Sequence, residues 1–389
     1  MKIRRADRLW AVLAAVSLTL AGCSSDSDSP QASPEADDSN AISVVDLAEQ
    51  EITLDKPIDK AVIFWSGSGG PFLTMSALFG EEVPEHIAGW GGNLKDFRKD
   101  MYDAFVADVP ALEDIPVVGT PGEEDFNVEK VLELNPDAVV APIGLREALE
   151  EGPGETLKQA HIPVIFTDYH TEDVEVHEKT TALLGEIFGR TEEAQKIIDF
   201  RDEGEEILAE GLAKVADEEK PRAYVEVGYQ GPGVFNSTYG SGFMWGGLLE
   251  QAGGENIAAS SIAASDSMAP EAIIAADPEV IILTGSYWPS EPDSLRMGYD
   301  ADEDEAKAKI TEFTERPGWS ELDAVKNERV YAINHGIARE PFDIVSTLFI
   351  AKALYPDAFA DVDPQEMLGE YFRDIMPYHL DGVWMLKWR

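Results

Sequence analysis

Cysteine is almost absent from this 389-residue chain, and Cys23 is its sole representative. An intramolecular disulfide is therefore excluded, and so is a zinc or iron–sulfur site built on cysteines. Positive charge is also scarce: 30 Lys and Arg face 75 Asp and Glu, for a formal net charge of −45. Such a surface favours solubility and repels nucleic acid and anionic headgroups, so neither is an expected partner. Past the N-terminus no apolar run is long enough to span a bilayer. The chain has no Gly-x-Ser-x-Gly elbow, no His-Glu-x-x-His and no dinucleotide fingerprint. Ser66-Gly67-Ser68-Gly69-Gly70 mimics an elbow only loosely, so a secreted hydrolase stands as an alternative without motif support. Neither a catalytic residue nor a cofactor is expected.

What is present begins with an address. Lys2, Arg4, Arg5 and Arg8 precede an apolar run from Leu9 to Leu20, followed by Ala21-Gly22-Cys23. Charge, short apolar core, small residues and cysteine in that order form a bacterial lipoprotein signal. Residues 1–22 are expected to be removed and Cys23 to carry a lipid that anchors the exported chain to the membrane. Residues 23–44 are rich in Ser, Asp and Pro and too poor in large apolar residues to fold, so they read as a tether.

The mature chain alternates short apolar runs with helical patterns. Strands are expected at Ala61–Trp65, His86–Trp90, Ala138–Ala141, Ile162–Phe166, Arg222–Val227, Val280–Thr284 and Arg329–Ile333. Short buried strands alternating with helices predict α/β lobes with mainly parallel sheets. Between them, 171–216 contains no proline and repeats apolar residues at helical spacing, which predicts one long connecting helix, with a local break or new cap at Gly189 and Thr191. The lobes are then 45–170 and 217–389. Each contains the same unit: a helix, a turn punctuated by Asn135-Pro136-Asp137 or Asp277-Pro278-Glu279, and a buried strand.

Three segments carry a family resemblance. They are Pro116-Val117-Val118-Gly119 with Asn127 to Val140, Leu249 to Ala258, and Pro317-Gly318-Trp319 through Tyr331. In that order they resemble the substrate-binding component of ABC importers for iron-siderophores, heme and cobalamin. The resemblance implies two α/β lobes joined by one rigid long helix, a ligand cleft between the lobes, and an ABC permease with its ATPase as partners. It also implies an acidic docking residue in the helix after the first strand. That helix, Phe72 to Phe79, has no acid; Glu81 or Glu82 just beyond it, and Glu250 in the second lobe, are the candidates. A monomer is expected.

In such a fold the ligand lies against loops that follow strands. That rule selects Trp65, Ser66 and Ser68, then Trp90 and Asn93, then Tyr229 and Tyr239, Tyr287 and Trp288, and finally His335 and Arg339. The Gly-rich loop 65–70 is equally a tight turn, and any single aromatic equally a core residue. Their recurrence at strand ends, with arginine to fork onto carboxylate or hydroxamate oxygens, suits a ferric siderophore or related chelate. Heme, cobalamin and an oxyanion such as molybdate remain open. Of six histidines only His335 follows a strand; His161 precedes one, His86 begins one, and His170 and His177 flank the long helix and are expected to be solvated. No converging set of His and carboxylates for a bare metal is evident.

Overall fold

The computed structural model describes residues 41–65 and 67–389. Cys23, the signal and most of the tether, and Ser66, lie outside the described residues. No helix among the described residues is long and apolar enough to cross a membrane.

The first strands form a hairpin that the sequence reading missed, β1 (Ile42–Val45) with β2 (Glu51–Leu54). Strict alternation in Glu51-Ile52-Thr53-Leu54 buries Ile52 and Leu54 on one face. Asp46 closes its turn by accepting the Ala48 and Gln50 amides, and its other oxygen takes the Phe166 amide at 2.9 Å. One short carboxylate thus ties the hairpin to the first sheet.

That sheet contains β3 (Ala61–Ile63), β4 (Ile87–Trp90), β5 (Ala138–Pro142) and β6 (Val164–Thr167), all parallel, in the order β4-β3-β5-β6. Parallel strands are covered on both faces, which explains why β3 and β5 are unbroken apolar runs. The order reverses at β3, so the loop at its C-terminal end opens into a crevice.

The second lobe follows the same logic. It contains β7 (Arg222–Val227), a small antiparallel pair of β8 (Ser237–Tyr239) with β10 (Ser265–Ser267), then β9 (Glu255–Asn256), β11 (Val280–Gly285), β12 (Val330–Asn334) and β13 (Met385–Lys387). The sheet order is β13-β12-β11-β7-β9, parallel except for β13. Here the order reverses at β7. The duplicated helix-to-strand unit is real in geometry: Asn135 and Asp277 both end their helices in the left-handed region, at φ 47° and 44°. Asn and Asp tolerate that conformation, and the following prolines prevent the helix from continuing.

The connection differs from the single helix expected over 171–216. One helix, Val174–Ile187, ends before Gly189, whose φ is +65°, and packs on the first lobe. The bridging element is the second helix, Thr191–Lys214, whose 24 residues span about 36 Å. It begins against the first lobe, where Ala194 meets Gly185. It ends on the second, where a Cβ on Gly204 would lie 2.5 Å from Ile344 and one on Gly211 2.2 Å from Phe359. Only glycine allows that approach.

Candidate functional site

A cleft of about 260 Å³ lies between the C-terminal ends of the two sheets. Trp65, Ser68, Asn93, Phe97, Arg98 and His170 line it from the first lobe, and Met244, Ser286, Trp288, His335 and Arg339 from the second. Six expected residues are thus brought together: Trp65, Ser68, Asn93, Trp288, His335 and Arg339.

Trp65 is held in an uncommon way. Its φ is +64°, a left-handed conformation that a bulky L-residue adopts only when its surroundings impose it. A Cβ at Gly70 would fall 1.4 Å from the Trp65 carbonyl oxygen, so the loop closes only with glycine there. The Trp65 indole Nε1 donates to His170 Nε2 at 2.8 Å. On the other lobe the Trp245 indole Nε1 donates to His335 Nδ1 at 3.2 Å, and Thr284 Oγ1 lies 2.9 Å from the same nitrogen. Indole is a donor only, so both tautomers are fixed: the proton sits on Nδ1 of His170 and on Nε2 of His335. Both imidazoles are neutral. Burial, and then the positive charge of Arg339, lowers His170 to about 4. Burial, Arg98 and Arg339 lower His335 equally, to about 4.

The charge in the cleft is carried by arginine. Arg98 Nη1 donates to Gly67 O and Gly336 O, each at 3.0 Å, and to Glu340 Oε1 at 2.7 Å. Arg339 donates from Nε to Glu172 Oε1 at 2.9 Å, while no hydrogen bond joins its two Nη atoms to any described residue. Glu340 is buried, and burial pushes its carboxyl up to about 8; Arg98 and a hydrogen bond from Ser68 hold it from rising further. At neutral pH the cleft therefore holds two guanidinium cations against one carboxylate, in a protein of net charge −45. Asn93 Oδ1 is buried without a partner among the described residues.

Several expected residues lie elsewhere. Trp90 is a core residue, 2% exposed, packed edge-on to Phe72 at 5.4 Å. It ends β4 rather than following it, so its ring lies under the helix Pro71–Phe79. Tyr239 is buried behind His335, ring centroids 6.5 Å apart, and Tyr229 stands perpendicular to Trp288 at 5.2 Å. Both back the wall without lining it. Tyr287 faces a side hollow, under the Arg296 guanidinium at 4.2 Å. Glu81 and Glu82 are exposed, but the 3-10 turn Gly80–His86 leads into the start of β4, at the end of the sheet away from the cleft. Glu250 is tied down by Ser241 Oγ and the Gly242 amide.

His170 and His177 are not solvated. His170 lines the cleft, and His177, 2% exposed, faces the Asp343 carboxylate at 3.3 Å. The rule that found His335 also covers His170, three residues past the end of β6; assigning it to the long helix hid it. Arg98 and Phe97 follow β4 on a short helical turn, and the loop after Trp90 was their signal. Glu172 and Glu340 have no local signal, because their partners are 167 and 242 residues away.

The comparison with known proteins agrees with this geometry. The model of the family described as "Periplasmic binding protein" matches residues 77–335. The chain belongs to that family. A solved structure, the TroA-like periplasmic binding protein FepB from Veillonella parvula, is 39% identical, covers 89% of this chain and 99% of its own, and superposes with a TM-score of 0.85. The molybdate-binding protein MolA of Haemophilus influenzae is 23% identical over 85% of this chain and 89% of its own. The substrate-binding lipoprotein YvrC of Bacillus subtilis, of an ABC transporter, is 24% identical over 91% and 98%. This binding protein is accordingly the substrate-binding component of an ABC transporter, a transport protein and not an enzyme, and its partners are a permease and an ATPase.

Proposed function

We propose that this binding protein, anchored through a lipid on Cys23, captures a compact anionic metal chelate, in first place a ferric siderophore of the carboxylate or hydroxamate class, and hands it to its permease. One observation carries the reading: the Arg339 guanidinium is anchored by Nε and lies over the Phe243 ring at 5.0 Å, while its two Nη atoms make no hydrogen bond to any described residue beside the cleft. Such a fork matches paired oxygens of a carboxylate or hydroxamate. Trp65 and Trp288 supply apolar faces from opposite lobes, and His335 Nε2–H and Asn93 add polar contacts. Binding and release need no covalent step.

The volume favours a second reading as well. About 260 Å³ lies below the usual range for drug-sized ligands, which is tight for a porphyrin, a corrin or a bulky trihydroxamate chelate but ample for a bare oxyanion. The relative MolA is named as molybdate-binding. A panel decides between them: ferric trihydroxamate, ferric citrate, heme, cobalamin and molybdate, titrated against intrinsic tryptophan fluorescence. Saturable quenching by a ferric chelate supports the first reading. A response to molybdate alone replaces it with the second, and a response to heme or cobalamin alone removes both.

A further inference from the structure

Two arginine–glutamate bridges cross the cleft in opposite directions. Arg98 of the first lobe reaches Glu340 of the second, and Arg339 of the second reaches Glu172 of the first. All four side chains are at most 13% exposed. Arg98 also joins one carbonyl from each lobe, Gly67 O and Gly336 O, through the same Nη1 atom. Behind the cleft, Asp343 pairs with Arg201 of the bridging helix and faces His177. These second-lobe partners all fall within the nine-residue segment 335–343, which directly follows β12.

We propose that Glu172 and Glu340 are positioning residues that latch the two lobes together across the cleft, so that the protein without ligand rests with its lobes in contact and the latch sets the aperture. The stiffness of the bridging helix cannot do this alone. A helix fixes the distance between its ends, whereas lobe separation at the cleft depends on contacts far from its axis. Hydrogen bonds donated by a buried guanidinium are strong and directional, and their loss leaves its N–H groups without acceptors in a poorly hydrated site. The crossed arrangement adds resistance to shear, because sliding the lobes either way lengthens at least one bridge. It also presets Arg339, which enters the cleft already oriented by a residue of the opposite lobe. The inference concerns the empty protein and holds whichever ligand the cleft takes.

The test uses the full-length protein without ligand, by hydrogen exchange and solution X-ray scattering. The variants are Glu172→Ala with Glu340→Ala together, which remove both acceptors, and Glu226→Ala as control. Glu226 pairs with Arg316 at 2.7 Å, equally buried but wholly inside the second lobe. The double variant should speed exchange at 67–70 and 335–343 by about tenfold or more and enlarge the radius of gyration, with far-UV circular dichroism unchanged. The control should lose thermal stability without those two changes. Wild-type exchange and size in the double variant would overturn the latch, and so would the same cleft loosening in Glu226→Ala. If the double variant does not fold, Gly336→Ala replaces it: a Cβ there would lie 2.5 Å from Arg98 Cζ and displace the guanidinium without changing any charge. Wild-type behaviour of Gly336→Ala would equally refute the proposal. A failed ligand panel with a loosened double variant would leave the latch standing and remove only the cargo assignment.

Discussion

Arg98 and Glu340 meet at 2.7 Å, although 242 residues separate them and they belong to different lobes. The contact fixes where the cleft's positive charge lies, and it makes that charge depend on pH. Near neutrality Glu340 keeps its proton, so Arg98 is held but not neutralised.

Stability should peak near pH 6.5. His170 and His335, lowered from 6.5 to about 4, bind fewer protons folded than unfolded, so each adds stability as pH rises from 4 to 6.5. Glu340, raised from 4.5 to about 8, binds more protons folded, so its contribution is full below 4.5 and is lost as pH rises to 8. Each group has a slope of about 1.4 kcal/mol per pH unit. The histidines win below 6.5; above it Glu340 falls away, joined by His379, which its hydrogen bond to Asp108 raises above 6.5. Melting temperatures between pH 4 and 9 check this, and Glu340→Gln should flatten the alkaline limb while leaving the acid limb.

Arg339→Ala should weaken binding of an anionic chelate by roughly 10- to 100-fold, the worth of a charge-assisted pair of hydrogen bonds. Arg339→Lys keeps the charge but not the fork and should fall between. Calorimetric titration reads both, and equal affinity of the alanine variant and wild type would remove Arg339 from the site.

The two tryptophans at the ends of β3 and β4 should behave in opposite ways. Trp90→Ala empties a core position and should cost about 3–5 kcal/mol of stability, with affinity unchanged among folded molecules. Trp65→Gly relieves the left-handed strain, so the melting temperature should hold or rise while binding is lost. Chemical denaturation beside ligand titration separates the two.

Gly70→Ala should abolish binding although the side chain adds a single methyl. Its Cβ would overlap the Trp65 carbonyl at 1.4 Å, so the loop must open and carry Trp65 out of the cleft. A crystal structure of the variant with the loop in place would contradict this.

Much of the architecture was legible because burial on both faces writes parallel strands as plain apolar runs. Val280-Ile281-Ile282-Leu283 could hardly be anything else, and the helix Pro270–Ala276 was bounded by its own Pro and Asp. The short elements β1, β2, β8, β10 and β13 were not legible, since three or four residues are too few to establish a period. The site was half legible. Position after a strand selects the correct end of a lobe, but it does not say which way a side chain turns. Trp65 and Trp90 satisfy the same rule, and backbone conformation separates them. The bridges were invisible, because residues far apart in sequence leave no spacing to read.

The cleft's cations sit inside a strongly acidic shell, and this has a kinetic consequence. An anion approaching from solvent first meets repulsion, and only within a few ångströms does it meet Arg98 and Arg339. Added salt screens the outer field, whose range at 0.1 M is about 10 Å, far more than it screens the buried guanidiniums. Capture of an anionic cargo should therefore speed up as ionic strength rises, the reverse of ordinary electrostatic steering. Such a receptor would forage best in brine.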